Sequence, residues 1–340
     1  MSSRDWRRLD ESDVHVRPGR GTRPRSKRRP EHAGATPAMV IGKDRGRWTC
    51  AVEDDPDRLV VAMRARELGR TPVVVGDQVD LVGDVSGTTD TLARIVRVAE
   101  RSSGLRRTAD DTDPFERVVV ANASQLVIVT ALADPPPRTG FIDRCLVAAY
   151  AGGLHPLLCL TKADLGSPAE LLDAYRFLDL TVVVTRHDEP PDELRERLAN
   201  KVSALVGHSG VGKSTLVNVL VPDADRTIGV VSSVGKGRHT SVTAVALPLP
   251  GGGWVVDTPG VRSFGLAHVS SADIVAAFEE FVAPAEECPP GCGHLGPPQD
   301  PDCMLDVVVA EGTASAGRLA SLRRLLMSKA GLDDHTERTD

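Results

Sequence analysis

The sequence predicts a multidomain α/β protein: a small N-terminal β-barrel, a parallel sheet layered by helices, and a compact helical unit around cysteine and histidine. Three observations predict it. Short apolar strands split by turn residues fill roughly Thr36 to Leu105, and strand and helix patterns alternate from about Phe115. After Gly265 the strands stop, and amphipathic helices flank a Cys/His cluster. The boundaries are an arm at 1–35, the barrel at 36–108, the sheet domain at 109–265, the helical unit at 266–330 and a tail at 331–340.

The chain has 340 residues, enough for two or three cores. Apolar content of 41% and charged content of 26% describe an ordinary soluble protein. No run approaches the roughly 18 apolar residues of a membrane span. The start "MSSRDWRRLDESD" lacks the apolar stretch of a secretory signal. A cytoplasmic protein with no membrane partner is expected, acting as a monomer. Six cysteines there argue against a disulfide framework. Cys50, Cys145 and Cys159 lie in apolar segments and read as small buried hydrophobes. Net charge is −6, but Arg4 to Arg29 holds ten basic residues against four acids. Such a segment cannot bury a core, so it reads as a disordered basic arm suited to phosphate backbones.

In the barrel, "AMVIG", "RWTCAVE", "RLVVAMR", "TPVVVGDQVDLVG" and "DTLARIVRVAE" are five candidate strands in about 70 residues. That count suits an OB-like fold. Next come the strand "QLVIVTALA", the helix "FIDRCLVAAYAGG", the strand "HPLLCLTKADL", the helix "SPAELLDAYRFLD" and the strand "TVVVT". The helix "DELRERLAN" then leads into the strand "KVSALVG". Val/Leu-rich strands alternating with helices argue a parallel sheet covered on its faces. Downstream, "SSADIVAAFEEF" and "SAGRLASLRRLLMSKA" read as helices.

"GHSGVGKST" spans Gly207, His208, Ser209, Gly210, Val211, Gly212, Lys213, Ser214 and Thr215, and fits the phosphate-loop pattern fully. An apolar strand precedes it and the helical "KSTLVNVLV" follows. Its amides point inward as anion donors. Lys213 reaches the terminal phosphates and the Ser214 hydroxyl ligates Mg²⁺. "VVDTPG" ends a further strand with Asp257, which can hold Mg²⁺ through water, while Gly260 offers its amide to the γ-phosphate. "TKAD" comprises Thr161, Lys162, Ala163 and Asp164. The Asp164 carboxylate matches the donor pair on guanine's Watson–Crick edge, which adenine lacks. Lys162 packs its stem along the base. Thr161 stands where Asn is more usual, which weakens one supporting hydrogen bond. Only seven lysines stand against 34 arginines, and Lys162, Lys213 and Lys236, the last in the loop between "GHSGVGKST" and "VVDTPG", all fall in nucleotide elements.

The base reader precedes the phosphate loop, a rotation of the ordinary order. Chain ends in compact folds often lie close, so a fold survives joining them and opening elsewhere. A circularly permuted P-loop GTPase domain is therefore expected. With "GRHTS", "DTPGVRSFGL", the preceding barrel and the following Cys/His cluster, the chain closely resembles the RsgA family from about Thr36 to Ala330. These are permuted GTPases that act in late maturation of the small ribosomal subunit. The resemblance implies GTP/GDP and Mg²⁺ as ligands, and the small subunit and its rRNA as partners. It also implies that the subunit stimulates hydrolysis, which is coupled to release.

The position where many GTPases orient water with Gln is Val261, which can do no such work. The loop "VSSVGKGRHTSV" reads as the switch, with Thr240 or Ser241 completing the Mg²⁺ shell. His239 beside them could orient or activate water, and the resemblance implies that it is the catalytic residue. "CPPGCGHLGPPQDPDC" offers Cys288, Cys292, His294 and Cys303, which suit one closed structural Zn²⁺ site. Its spacing departs from the RsgA pattern, leaving Asp300 or Asp302 as conceivable substitutes. Trp48 is the only aromatic in the barrel, so backbone contacts with RNA are favoured over base stacking. The alternatives are an RNA-binding scaffold in which GTP is mainly a structural ligand, or a small-molecule kinase or ATPase, which Asp164 opposes.

Overall fold

The structure, a computed structural model, describes residues 32–88, 90–108, 116–222, 224, 244–258, 266 and 269–331. Gly34–Asp340 forms one compact unit and Met1–Ala33 another. The basic arm falls almost wholly outside the described residues, as does the tail.

Five strands close the barrel: β1 (Thr36–Asp44), β2 (Arg47–Val52), β3 (Asp55–Arg64), β4 (Gln78–Gly83) and β5 (Ala93–Val98). Their order is β1-β2-β3-β5-β4, with β4 returning to pair β1. Only the β3–β5 pairing is parallel among them. This is the OB-like closure expected from the strand count. Its interior is filled by Val40, Cys50, Val60, Ala62, Leu81 and Ile95, all fully buried. Trp48 is buried as well and donates its indole N–H to the Val73 carbonyl at 3.1 Å. It is thus a core residue and offers no stacking face.

A hairpin that the sequence reading did not foresee follows, β6 (Gly104–Thr108) and β7 (Glu116–Ala121). It fastens to the barrel through Val75 and Gly76. The Ala121 amide donates to the Val75 carbonyl at 2.9 Å, and a Cβ on Gly76 would lie 1.9 Å from the Ala121 oxygen. Beside this junction Arg101 forks onto the fully buried Asp77 at 2.7 and 2.9 Å.

The central sheet has order β10-β9-β8-β11-β13-β12. Its strands are β8 (Gln125–Ala131), β9 (His155–Thr161), β10 (Thr181–Val184), β11 (Val202–Val206), β12 (Val245–Pro248) and β13 (Trp254–Asp257). Its helices are α1 (Thr139–Ala151), α2 (Ala169–Tyr175), α3 (Asp192–Leu198) and α4 (Lys213–Leu220). Period-two alternation gives the sheet two cores. Leu126, Ile128, Leu158 and Val206 face α1, whereas Val127, Val129, Leu157 and Leu205 face α3 and α4. The sheet departs from the all-parallel expectation at one edge, where β12 runs antiparallel to β13. A tight turn at 249–253 joins them, and a connection that short permits only a hairpin.

The C-terminal helices are α5 (Ser271–Val275), α6 (Glu279–Glu286), α7 (Met304–Ala310) and α8 (Ala316–Ala330). The single helix expected over "SSADIVAAFEEF" is split into α5 and α6, because a turn at 276–278 brings Phe278 and Phe281 together into the core. The Ser270–Asp273 capping box fixes the start of α5. Leu319, Leu322, Leu325 and Leu326 of α8 join the core cluster that holds α1. Among the described residues no helix is long and apolar enough to cross a membrane.

Candidate functional site

Parallel sheets bind ligands beyond the carboxyl ends of their strands. Here that edge collects the loops after β8, β9, β10, β11 and β13. The phosphate-type loop joins β11 to α4. Gly210 and Gly212 have φ of 82° and 89°, a region side-chain-bearing residues adopt at a cost. A Cβ on Gly207 would sit 2.7 Å from the Val129 carbonyl oxygen. The apolar Val211 is buried, while Ser209, Ser214 and Thr215 remain exposed to a ligand. The His208 ring packs against Phe141 of α1 at 4.1 Å between centroids. Lys213 forms an ion pair with Asp257 at the end of β13. Thr258 ties the next residue back to the phosphate strand, donating to the Leu205 carbonyl at 2.5 Å.

"TKAD" lies at the end of β9, as the strand assignment requires. Thr161 is buried and its hydroxyl donates to the Val211 carbonyl at 2.6 Å. Thr161 therefore supplies a hydrogen bond between the base loop and the phosphate loop. Lys162 adopts φ of 58° and gives its ammonium to the Asp134 carbonyl. The Ala163 amide donates to Thr185 at 3.2 Å. A cavity of about 270 Å³ follows, with Thr161, Lys162 and Asp164 on one side and Gly212, Thr215 and Val219 on the other. Two segments far apart in the chain thus meet around one volume.

The loop after β10 completes the cavity with Thr185, Arg186, His187 and Glu189, which sequence reasoning missed. The signal was available: a strand end in a parallel sheet places its loop at the ligand edge. Arg186 pairs with Asp188 at 3.1 Å and Glu189 at 3.3 Å. The hydrogen bond to Asp188 chiefly raises its pKa, with a smaller push from Asp164. His239, Thr240, Ser241 and Gly260 lie outside the described residues, as do Lys236 and Val261.

The second cluster is separate. The ligand atoms of Cys288, Cys292, His294 and Cys303 all lie within 4.8 Å of one another. The His294 Nδ1 stands 3.4 Å from the Cys288 sulfur and 3.7 Å from that of Cys292. Backbone amides of Met304 and His294 point at the Cys288 and Cys292 sulfurs, each at 3.4 Å. Burial, then the neighbouring thiols, pushes Cys292 up to about 12. A divalent cation supplies the charge that thiolates here need. Burial also lowers the His294 pKa, favouring the neutral imidazole that a metal takes. Three sulfurs and one nitrogen converging this closely fit a closed tetrahedral zinc site. Asp302 is exposed, and Asp300 turns its carboxylate to backbone amides instead.

The OB-like barrel, the sheet order and the rotated sequence of motifs define a circularly permuted P-loop GTPase. Comparison with known proteins makes this specific: the chain belongs to the RsgA GTPase family, whose model matches residues 98–267. It is 37% identical over 273 residues to the small ribosomal subunit biogenesis GTPase RsgA of Chlorobaculum tepidum, covering 77% of this chain and 87% of that one. The protein of the same name from Pseudomonas aeruginosa is 41% identical over 271 residues, 77% of each chain. Among solved structures, YjeQ from Thermotoga maritima aligns with a TM-score of 0.61 at 25% identity, covering 87% of this chain and 99% of that one. YloQ, described as a circularly permuted GTPase, shares the fold with a TM-score of 0.62 at 20% identity, covering 90% and 99%.

Proposed function

We propose that this chain hydrolyses GTP to GDP and phosphate in the cytoplasm while bound to the immature small ribosomal subunit, and that hydrolysis is coupled to its release. The observation that carries the nucleotide half is the Thr161–Val211 hydrogen bond, which joins a guanine-type reader to the phosphate loop across one cavity. Asp164 accepts from the guanine edge and Lys162 lays its stem along the ring. Amides from Gly207 to Thr215 and the Lys213 ammonium hold the phosphates. To do so Lys213 exchanges Asp257 for phosphate, freeing that carboxylate to face hydrated Mg²⁺. Ser214 and either Thr240 or Ser241 would hold that metal, and Gly260 would donate to the γ-phosphate. Bound there, Mg²⁺ would supply positive charge against the negative charge developing on the phosphoryl oxygens. His239 orients the attacking water, and the subunit accelerates turnover.

The ribosomal half rests on the names of the relatives, together with the basic segment from Arg4 to Arg29. With Trp48 buried, the barrel contacts rRNA through the phosphate backbone. The Cys/His unit holds a structural Zn²⁺, and the protein acts as a monomer. GTP turnover measured with and without purified small subunits, at two salt concentrations, tests the reading. A rise with subunits, larger at low salt, is expected. No rise at either salt removes the ribosomal half, and loss of stimulation in His239→Ala is required of the catalytic assignment.

A further inference from the structure

Eight residues separate His294 from Cys303, a long segment to leave free beside a metal ligand. His294 also sits at φ of 62°, in the left-handed region that favours glycine. Something must hold it there, and two residues outside the ligand set do.

On one side, Asp300 reaches back into the loop. Its Oδ1 accepts the Gly293 amide at 3.1 Å and its Oδ2 accepts the Leu295 amide at 2.8 Å, so one carboxylate brackets His294 through the amides of both neighbouring residues. The Asp300 amide closes the turn on the Gly296 carbonyl at 2.8 Å. On the other side, Arg323 of α8 donates its Nε to the His294 carbonyl at 3.2 Å. Its remaining nitrogens fork onto Asp306, in the first turn of α7, at 2.8 and 2.7 Å. Gly296 makes room: a Cβ there would lie 2.5 Å from the guanidinium carbon. With its own carbonyl and the amides of both neighbouring residues held, the Nδ1 of His294 is the nitrogen that faces the sulfurs.

We propose that Asp300 and Arg323 are the positioning residues of the metal centre: they lock His294 so that its Nδ1 is the fourth ligand, and Asp300 is not itself a ligand. This rests on the zinc reading. Both Asp300 oxygens are engaged by amides, and the carboxylate is absent from the group of converging ligand atoms. Groups that orient metal-bound histidines typically change metal affinity about 10- to 100-fold when removed.

The test uses metal-free full-length protein titrated with Co²⁺ and then displaced with Zn²⁺. The parent should show the absorption of a tetrahedral cobalt centre with sulfur ligands. Asp300→Asn and Arg323→Ala should bind both ions about 10- to 100-fold more weakly, yet reach the same sulfur-to-cobalt band at saturation. Asp302→Ala, at an exposed neighbour, should match the parent. Equal affinity in the parent and Asp300→Asn overturns the proposal. So does a His294→Ala variant that keeps the parent's cobalt spectrum while Asp300→Asn loses it, for then Asp300 is the ligand. Failure of the parent to take up Co²⁺ or Zn²⁺ refutes the zinc reading instead. If Asp300→Asn does not fold, Arg323→Ala probes the same bracket from α8.

Discussion

The nucleotide cleft and the Cys/His loop are both built from converging polar groups, yet they hold those groups in opposite ways. In the cleft the charges neutralise one another provisionally: Lys213 with Asp257, and Arg186 with Asp188 and Glu189. Asp164, Ser214 and Thr215 stand exposed. In the loop the cluster is bracketed by Asp300, Arg323 and backbone amides. A phosphate taking Lys213 must part it from Asp257, whereas an ion entering the loop meets donors that already converge and displaces only thiol protons. The difference marks a site for exchange and a site for permanent occupancy.

Substitution of Lys213 by Ala is the strongest way to break that contrast. It removes the cation that pairs with Asp257 and that we assign to the phosphates. Loss of one preorganised charge at such a centre costs about 100- to 1000-fold in kcat. Cobalt uptake by the loop should be unchanged, and a parallel loss there would show that the two regions are not independent. Asp164→Asn comes next. It exchanges an acceptor for a donor opposite guanine's edge, and hydrogen bonds to charged groups contribute roughly 1.5–3 kcal/mol. GTP affinity should fall about 10- to 100-fold by that scale, and xanthosine triphosphate, whose edge presents an acceptor there, should gain. Unchanged GTP binding would remove Asp164 from the base contact. Cys303→Ser sharpens the other side: its sulfur is buried in the cluster. The unfolding temperature should drop by about 1–2 °C for each kcal/mol lost at this chain length, while GTP affinity stays the same.

What could be read from the chain follows the range of the forces involved. Strand periodicity located all five barrel strands, because closure needs only turns and a buried face. "GHSGVGKST", "TKAD" and the Cys/His spacing were legible because their chemistry is carried by adjacent residues. The β6–β7 hairpin was not, since "GLRRT" looks polar and is fixed by distant partners at Val75 and Gly152. β12 was missed because four residues carry too little pattern. Arg323 had no local signal, since its bond to the His294 carbonyl spans 29 positions, and Asp300, readable from the loop only as a conceivable ligand, holds the Gly293 and Leu295 amides instead. The loop after β10 lay between. Its place was predictable from topology, but its side chains resembled an ordinary charged turn.

The smallest expected effect lies where the two regions come nearest to sharing a structural element. Arg323 and Arg324 are neighbours on α8, the first bonded to the metal loop and the second paired with the buried Asp143 of α1 at 3.0 Å. Tyr175 of α2 donates to the same Asp143 at 2.9 Å, and the Arg324 guanidinium lies over its ring. α1 in turn carries Phe141, against the phosphate-loop His208. Tyr175→Phe removes one hydroxyl and leaves the ion pair, so it should cost about 1.5–3 kcal/mol in urea unfolding, the scale of a hydrogen bond to a charged group. Its value is in combination with metal removal. If the cleft and the loop are mechanically separate, the two costs add within about 0.5 kcal/mol. A larger discrepancy would mean that α8 transmits strain between them, and that occupancy of the closed site sets the stiffness of the helix behind the phosphate loop.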